Sequence, residues 1–130
     1  MEEILKEYNL IIKNKISLGN FNSAIASIQK LLNYAPKTDF GYYYLGVCNF
    51  ALEKYKQSIT DYAQAIKLNP TNAKAYFNLG VSYYMLKYND YALINIGKAL
   101  FLFSKAKELD KKERCIEALR LIESDNELGI

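Results

Sequence analysis

The most regular feature of the chain is a helical spacing of apolar residues that is interrupted at short polar stretches. In YKQSITDYAQAIKL (55–68), apolar and small residues recur three and four positions apart, as on the buried stripe of an amphipathic helix. The preceding stretch FGYYYLGVCNFAL (40–52) is apolar around most of its circumference, which is typical of a helix packed between neighbours. Glu53-Lys54 separates the two stretches, and NPTN (69–72) ends the second because proline cannot continue a helix. The pattern predicts a helical hairpin.

This hairpin pattern recurs along the chain every 34 residues, the spacing that separates Tyr8, Tyr42 and Tyr76. Pro36 and Pro70 follow the same step. Further equivalent positions are Ala24, Ser58 and Ala92; Leu31, Ala65 and Ala99; and Ile11-Ile12, Leu45-Gly46 and Leu79-Gly80. Because period and residue type agree at so many positions, the sequence predicts three repeats, at about 5–38, 39–72 and 73–109.

The repeats resemble the tetratricopeptide repeat, whose signature is an aromatic residue, Leu-Gly, a small residue, an aromatic residue and a proline. The second copy carries it as Tyr42, Leu45-Gly46, Ser58, Tyr62 and Pro70. The third carries Tyr76, Leu79-Gly80, Tyr83, Ala92 and Ile96, and the first is looser. The resemblance covers about residues 5–103. It implies an all-α fold, a right-handed α-solenoid of helix-turn-helix repeats with about seven helices, in a single domain over 1–130.

Gly46 and Gly80 fall inside predicted helices, where glycine costs about 1 kcal/mol relative to alanine. A small residue lets two helices of a hairpin approach closely, and the dispersion attraction between closely packed helices offsets that cost. We therefore expect each glycine to face the second helix of its own repeat, near Ala65 and Ala99.

The third repeat departs from the pattern, since Ser104 stands where the period would put a proline. The apolar stripe Ala92, Ile96, Ala99, Phe103 and Ala106 continues without interruption. We expect a long helix over about 89–109. A capping helix over about 111–123 would follow, with Asp110 as its N-cap, Glu113 as a capping partner and a frayed tail over 124–130.

Composition excludes most chemistry. The chain has no histidine, which removes the commonest general base and zinc ligand, and it has no phosphate-binding glycine loop. We expect no enzymatic activity, no cofactor and no metal site. The net charge of +3 is dispersed, which argues against nucleic acid as a partner. No apolar run is long enough to span a bilayer and the N-terminus does not resemble a secretory signal, so we expect no membrane association and a cytoplasmic location.

Stacked helical hairpins curve, and the first helix of each pair lines the concave side. The positions of these first helices that point away from the expected core form a candidate peptide-binding groove. It is rich in aromatic rings, which supply large contact area at low entropic cost. Its residues are Lys6, Asn9 and Lys13; Phe40, Tyr43, Tyr44, Val47 and Phe50; and Lys74, Phe77, Asn78, Val81 and Tyr84.

The candidate groove predicts a scaffold or adaptor that binds a protein or peptide segment through apolar anchors. Some members of the tetratricopeptide-repeat family, which these repeats resemble, hold a terminal carboxylate with a clamp of Lys, Asn and Arg. Lys74 fits one clamp position, but Asn9, Tyr44 and Asn78 do not fit the others, so the resemblance argues against such a clamp.

The alternative is a self-associating structural module. ALFLF (99–103) is apolar on every face. Either the capping helix covers it, or Phe101 and its neighbours form a homodimer contact. The groove is the other surface through which this alternative would self-associate.

Overall fold

The computed structural model describes residues 2–129, and this part of the chain forms seven α-helices and no strand. They are α1 (Glu2–Ser17), α2 (Phe21–Tyr34), α3 (Asp39–Ala51), α4 (Tyr55–Leu68), α5 (Ala73–Met85), α6 (Asn89–Lys105) and α7 (Leu109–Glu127). The helices pair as α1–α2, α3–α4 and α5–α6, in the order that the apolar spacing predicts. The predicted all-α architecture of helical repeats is confirmed.

The helices are divided between two compact units. The residues up to Asn69 form the first unit, with α1–α4, and the residues from Pro70 form the second, with α5–α7. In the first unit, consecutive helices pack together and α1 also contacts α3. In the second, α6 packs against both α5 and α7. The organisation into one domain over 1–130 with repeats at 5–38, 39–72 and 73–109 stays a prediction.

Each unit has its own buried core, built from the predicted stripes. The first contains Ile12 of α1, three residues of α2 (Ala24, Ile28 and Leu31) and Cys48 of α3, all fully buried. The second contains Ala92, Ile96, Ala99 and Phe103 of α6, together with Cys115 and Ile122 of α7. Ala106, the last member of the expected α6 stripe, is exposed because it lies beyond the end of the helix.

Gly46 and Gly80 mark close helix approaches inside their hairpins, as expected, but the neighbours differ from those predicted. A Cβ on Gly46 would lie 2.7 Å from the ring of Tyr62, and one on Gly80 would lie 2.5 Å from Ile96. Large side chains of the second helix fill the space beside each glycine, in place of the expected Ala65 and Ala99. The glycines therefore make room for a side chain of the partner helix.

Four helix ends share one turn geometry. The turns contain a left-handed residue, with φ of 78° at Gly19, 61° at Glu53, 64° at Lys87 and 58° at Lys107. The next residue donates its backbone N–H to the carbonyl five positions earlier, over 2.7–3.0 Å. This is the Schellman hydrogen bond that closes a helix. The first three turns lie within hairpins, and the fourth joins α6 to α7 in the same way.

The fourth turn changes the predicted boundaries at the end of the chain. The helix expected over 89–109 ends at Lys105, because the turn at Lys107 stops it. The last helix covers Leu109–Glu127 in place of 111–123, and its N-cap is Glu108 in place of Asp110. Residues 124–127, expected to be frayed, are helical. Ile130, the end of the predicted tail, lies outside the described residues.

The end of α7 is held by polar contacts within the second unit. The hydroxyl of Tyr84 on α5 donates a hydrogen bond to Asp125. The amide of Asn89 at the start of α6 donates to Asn126 Oδ1 over 2.8 Å. These contacts explain why the helix continues past residue 123.

Candidate functional site

The predicted groove residues of α3 occupy one side of that helix, which we call the α3 face. At 100° per residue, they lie away from the buried Gly41, Gly46 and Cys48. All five members are half-buried, so each keeps part of its side chain open to solvent. They are Phe40, Tyr43, Tyr44, Val47 and Phe50.

One edge of the α3 face rests on the first core. Phe40 and Tyr44 pack against the buried cluster of α1 and α2, and their rings meet edge to face with centroids 6.2 Å apart. The Tyr44 hydroxyl donates to Asn9 Oδ1 of α1 over 3.4 Å, and burial raises the pKa of that hydroxyl. These two rings therefore contribute to packing as well as to the face.

The other edge of the α3 face contacts α4. The ring of Tyr43 lies 5.9 Å from that of the buried Tyr62, and the ring of Phe50 lies 5.1 Å from that of Tyr55. Tyr43 also meets Tyr44 at 5.4 Å, which links the two edges. The aromatic surface is thus held in a fixed arrangement by its own chain, and such pre-organisation lowers the entropic cost of binding.

The α1 face lies beside the α3 face in the first unit, joined through the contact between Asn9 and Tyr44. Lys6 and Lys13 are exposed and Asn9 is half-buried. Leu10, on the same side of α1, is 69% exposed. The two lysines place positive charge next to aromatic surface.

The α5 face in the second unit repeats the composition of the α3 face. Its members Phe77, Asn78, Val81 and Tyr84 are half-buried, and Lys74 is exposed. Phe77 and Tyr84 pack against the core formed by α6 and α7. The hydrogen bond from Tyr84 to Asp125 raises the pKa of the tyrosine hydroxyl, because the hydroxyl donates this bond only while it keeps its proton.

Sequence reasoning does not identify the residues that hold these rings. Tyr55 and Tyr62 belong to the second helix of the hairpin, and the apolar spacing assigns both to its buried stripe. Asp125 lies in the segment expected to be frayed. Helical period places a residue on a face, but it does not tell which ring across the hairpin that residue meets, so the sequence carries no signal for these contacts.

Among the described residues, few groups are arranged for metal binding or covalent reactivity. Within residues 2–129, no three His, Cys, Asp or Glu side chains come together as a metal site. The Cys48 and Cys115 thiols are free and buried, and burial raises the pKa of each to about 11, which disfavours the reactive thiolate. Between residues 2 and 129 there is also no helix of the length and hydropathy that a membrane crossing needs.

Comparison with known proteins agrees with the hairpin architecture. A family model described as TPR repeat matches residues 48–87, from the last turn of α3 through α5. The matched segment contains one complete copy of the loop and helices that recur along the chain. Residues 48–87 are similar to the tetratricopeptide repeat, and the described chain has a fold of helical repeats.

Solved structures similar to this chain share its fold at low sequence identity. PcrH in complex with the chaperone binding region of PopD is 17% identical, with a TM-score of 0.90, over 97% of this chain and 96% of that chain. The translocator chaperone SycD of Yersinia enterocolitica is 17% identical, with a TM-score of 0.91, over 98% and 88%. The TPR2B domain of yeast Sti1, in a complex with an Hsp70 peptide, is 17% identical, with a TM-score of 0.86, over 92% and 96%. No curated protein matches the sequence.

Proposed function

We propose that this chain is a non-enzymatic adaptor that binds peptide segments of a partner protein on its α1 and α3 faces in the first unit and on its α5 face in the second. The observation that carries the proposal is the recurrence of one surface in both units. Tyr43, Val47 and Phe50 on α3 correspond to Phe77, Val81 and Tyr84 on α5, one repeat later, and all six are half-buried. The row of an aromatic residue, a valine and an aromatic residue is thus partly exposed in both units. Such a surface suits the apolar anchors of a bound segment.

The similar structures support a peptide as the ligand. PcrH was solved with the chaperone binding region of PopD, SycD with a peptide of the translocator YopD, and yeast Sti1 with an Hsp70 peptide. These ligands belong to those proteins. For this chain we infer only the class of ligand, an extended or helical segment with apolar side chains, and acidic groups near Lys6 and Lys13.

The valines are better test positions than the aromatic residues. Tyr43 contacts the buried Tyr62, and Phe77 packs on the second core, so removing either ring also removes packing. Val47 and Val81 lie at the middle of their faces, between the two aromatic positions. A lysine at either site extends toward solvent and places a charge where the apolar anchor would lie.

The experiment begins with selection of peptides from a random displayed library on the wild-type chain. We expect selected peptides to contain spaced apolar residues and to bind with a Kd of about 1–100 μM. The Val47→Lys/Val81→Lys variant should bind them at least about tenfold more weakly, because it would bury unpaired charge. Fluorescence anisotropy measures both affinities.

The matched control is Ala63→Lys/Leu121→Lys, which adds one lysine to each unit at exposed positions of α4 and α7. It should bind like the wild type, and both double variants should keep the wild-type thermal midpoint. Selected peptides that bind both double variants equally well would refute the assignment of the faces. A library that yields no binding peptide would refute peptide binding.

A further inference from the structure

The outer side of α6 is an exposed apolar surface that the α1, α3 and α5 faces do not include. Ile94 is 55% exposed and Phe101 is 62% exposed, although both are large apolar residues inside a helix. With Asp90, Gly97 and Lys105 they lie along one side of α6, which we call the α6 seam. Single exposed apolar residues are common, but Ile94 and Phe101 line the same hollow, and contiguous apolar surface is typical of interaction sites.

Gly97 shows that this seam is not explained by packing within the chain. A Cβ built on Gly97 meets no atom within 4 Å, whereas one on Gly46 or Gly80 would collide with the partner helix. Glycine inside a helix is nevertheless unfavourable by about 1 kcal/mol relative to alanine. Gly97 lies in the wall of an open hollow of about 440 Å³, which is also lined by Tyr76, Ile94 and Phe101. The hollow offers room for an atom group from another molecule.

The residues of the seam are spaced almost symmetrically about Gly97, with an apolar residue on either side and opposite charges at the two ends. Ile94 and Phe101 lie three residues before and four residues after Gly97, and Asp90 and Lys105 lie seven before and eight after. In an antiparallel pair of α6 helices related by a two-fold axis between residues 97 and 98, Ile94 of each copy therefore faces Phe101 of the other. Asp90 of each copy likewise faces Lys105 of the other. Such self-complementarity is what a two-fold interface requires.

The remaining positions fit the same arrangement. Gly97 faces the aliphatic stem of Lys98 in the second copy, and the absence of a side chain at Gly97 leaves room for it. The ammonium groups of the two Lys98 side chains do not meet at the axis, because each lies over the ring of its own Tyr76, 5.7 Å from the centroid. The Lys105 ammonium lies 5.4 Å from the ring centroid of Phe101. The aromatic ring and the positive charge are therefore neighbours in the proposed contact.

We propose that the α6 seam is the contact surface of a two-fold symmetric homodimer in which two α6 helices cross antiparallel at Gly97. A pair of crossed helices buries less area than a standard stable interface, so the dimer is expected to be a weak one. The seam shares no residue with the faces assigned to peptide binding. This proposal goes beyond the peptide-binding function and does not depend on it.

The test is sedimentation equilibrium of the full chain from about 5 to 500 μM, the range in which small interfaces associate. We expect the wild type to pass from monomer to dimer across it. Phe101→Ser should remain monomeric throughout, because both apolar contacts are lost. Asp90→Lys and Lys105→Asp should each weaken the dimer at least about tenfold, since each places like charges together twice.

The decisive variant is the exchange Asp90→Lys/Lys105→Asp, which restores opposite charges across the two-fold axis and should recover affinity to within about threefold of the wild type. Lys56→Asp, an exposed charge reversal on α4, is the matched control and should associate like the wild type. Circular dichroism of each variant checks that the helices persist. A wild type that stays monomeric at the highest concentration overturns the proposal. So does an exchange variant weaker than either single variant, or a dimer that survives Phe101→Ser but is lost in Val47→Lys.

Discussion

At the scale of single residues, the glycines inside helices differ in what surrounds them. Gly80 faces Ile96 and the carbonyl oxygen of Ala92, the latter 3.0 Å from where a Cβ would lie. Gly97 on the next helix faces open space. The same residue type is therefore required by packing at the first position and not at the second, which offers a pair of substitutions with opposite expected signs.

We predict that Gly80→Ala lowers the free energy of unfolding by about 1–3 kcal/mol, because the backbone carbonyl of Ala92 cannot move aside as a flexible side chain could. Gly97→Ala should raise it by about 0.5–1 kcal/mol, since alanine has the higher helix propensity and meets no neighbour. Urea denaturation at low protein concentration measures both. A Gly80→Ala variant as stable as the wild type would show that the packing assigned to Gly80 is wrong, and a destabilised Gly97→Ala variant would do the same for the open space at Gly97.

The spacing of residues predicts where the hairpin glycines lie but not what they touch. Gly46 and Gly80 permit close approach as expected, while Tyr62 and Ile96 occupy the space assigned to alanines. The repeat period fixes which side of a helix a residue lies on. How far a ring or a branched chain reaches across the hairpin depends on rotamers, which one sequence does not specify.

At the scale of helical elements, α3 and α4 are linked by a polar contact beside the apolar core. The Asn49 amide donates to Asp61 Oδ2 over 2.7 Å. Burial raises the pKa of Asp61 from its ordinary value of 3.8 to about 6, although the hydrogen bond from Asn49 opposes the change. The negative charge of Asp61 in turn contributes to the raised pKa of Cys48. The folded hairpin is therefore more stable when the carboxyl group of Asp61 is protonated.

The raised pKa of Asp61 predicts a specific dependence of stability on pH. Between pH 3.8 and about 6 the folded hairpin binds a proton at Asp61 that the unfolded chain releases. The contribution of this group to stability therefore falls as pH rises through that window. Asp61→Asn keeps an acceptor for Asn49 and removes the charge, so it should be more stable than the wild type by about 1–2 kcal/mol at pH 8.

The advantage of Asp61→Asn should shrink toward zero near pH 4, where the wild-type carboxyl is protonated in the folded chain. Denaturation curves at a series of pH values from about 4 to 8 measure it. Asp90→Asn, at an exposed position in the first turn of α6, is the control and should show no such gain at high pH. A difference between Asp61→Asn and the wild type that is constant across this range would contradict the buried-carboxyl account.

The boundaries of α6 and α7 show where the apolar pattern misplaces the elements. Apolar period, with no proline at residue 104, predicts one continuous helix to residue 109. The helix stops at Lys105 because Lys107 adopts the left-handed turn found also at Gly19, Glu53 and Lys87. Only one of these four positions is glycine, so residue type alone does not mark the other three. The 34-residue period relates the first three turns to one another, but the fourth falls outside it.

At the scale of the whole molecule, the sequence predicts the number, order and approximate limits of the helices, because a repeated pattern supplies the same evidence several times. It also predicts Phe101 as either buried or available for a dimer contact, and the ring is mostly exposed. The peptide-binding residues are less well determined. Rings such as Tyr44 and Phe77 contribute both to a core and to a face, whereas the helical period assigns them to the face alone.

The most direct test of the central claim, that peptide binds on the α1, α3 and α5 faces, is chemical-shift mapping by NMR. The full ¹⁵N-labelled chain would be titrated with a peptide selected by the displayed library. We predict that the largest amide shifts occur on those faces, with Val47 and Val81 among the most affected residues in their units. Shifts confined to α2, α4 or the α6 seam would contradict the account.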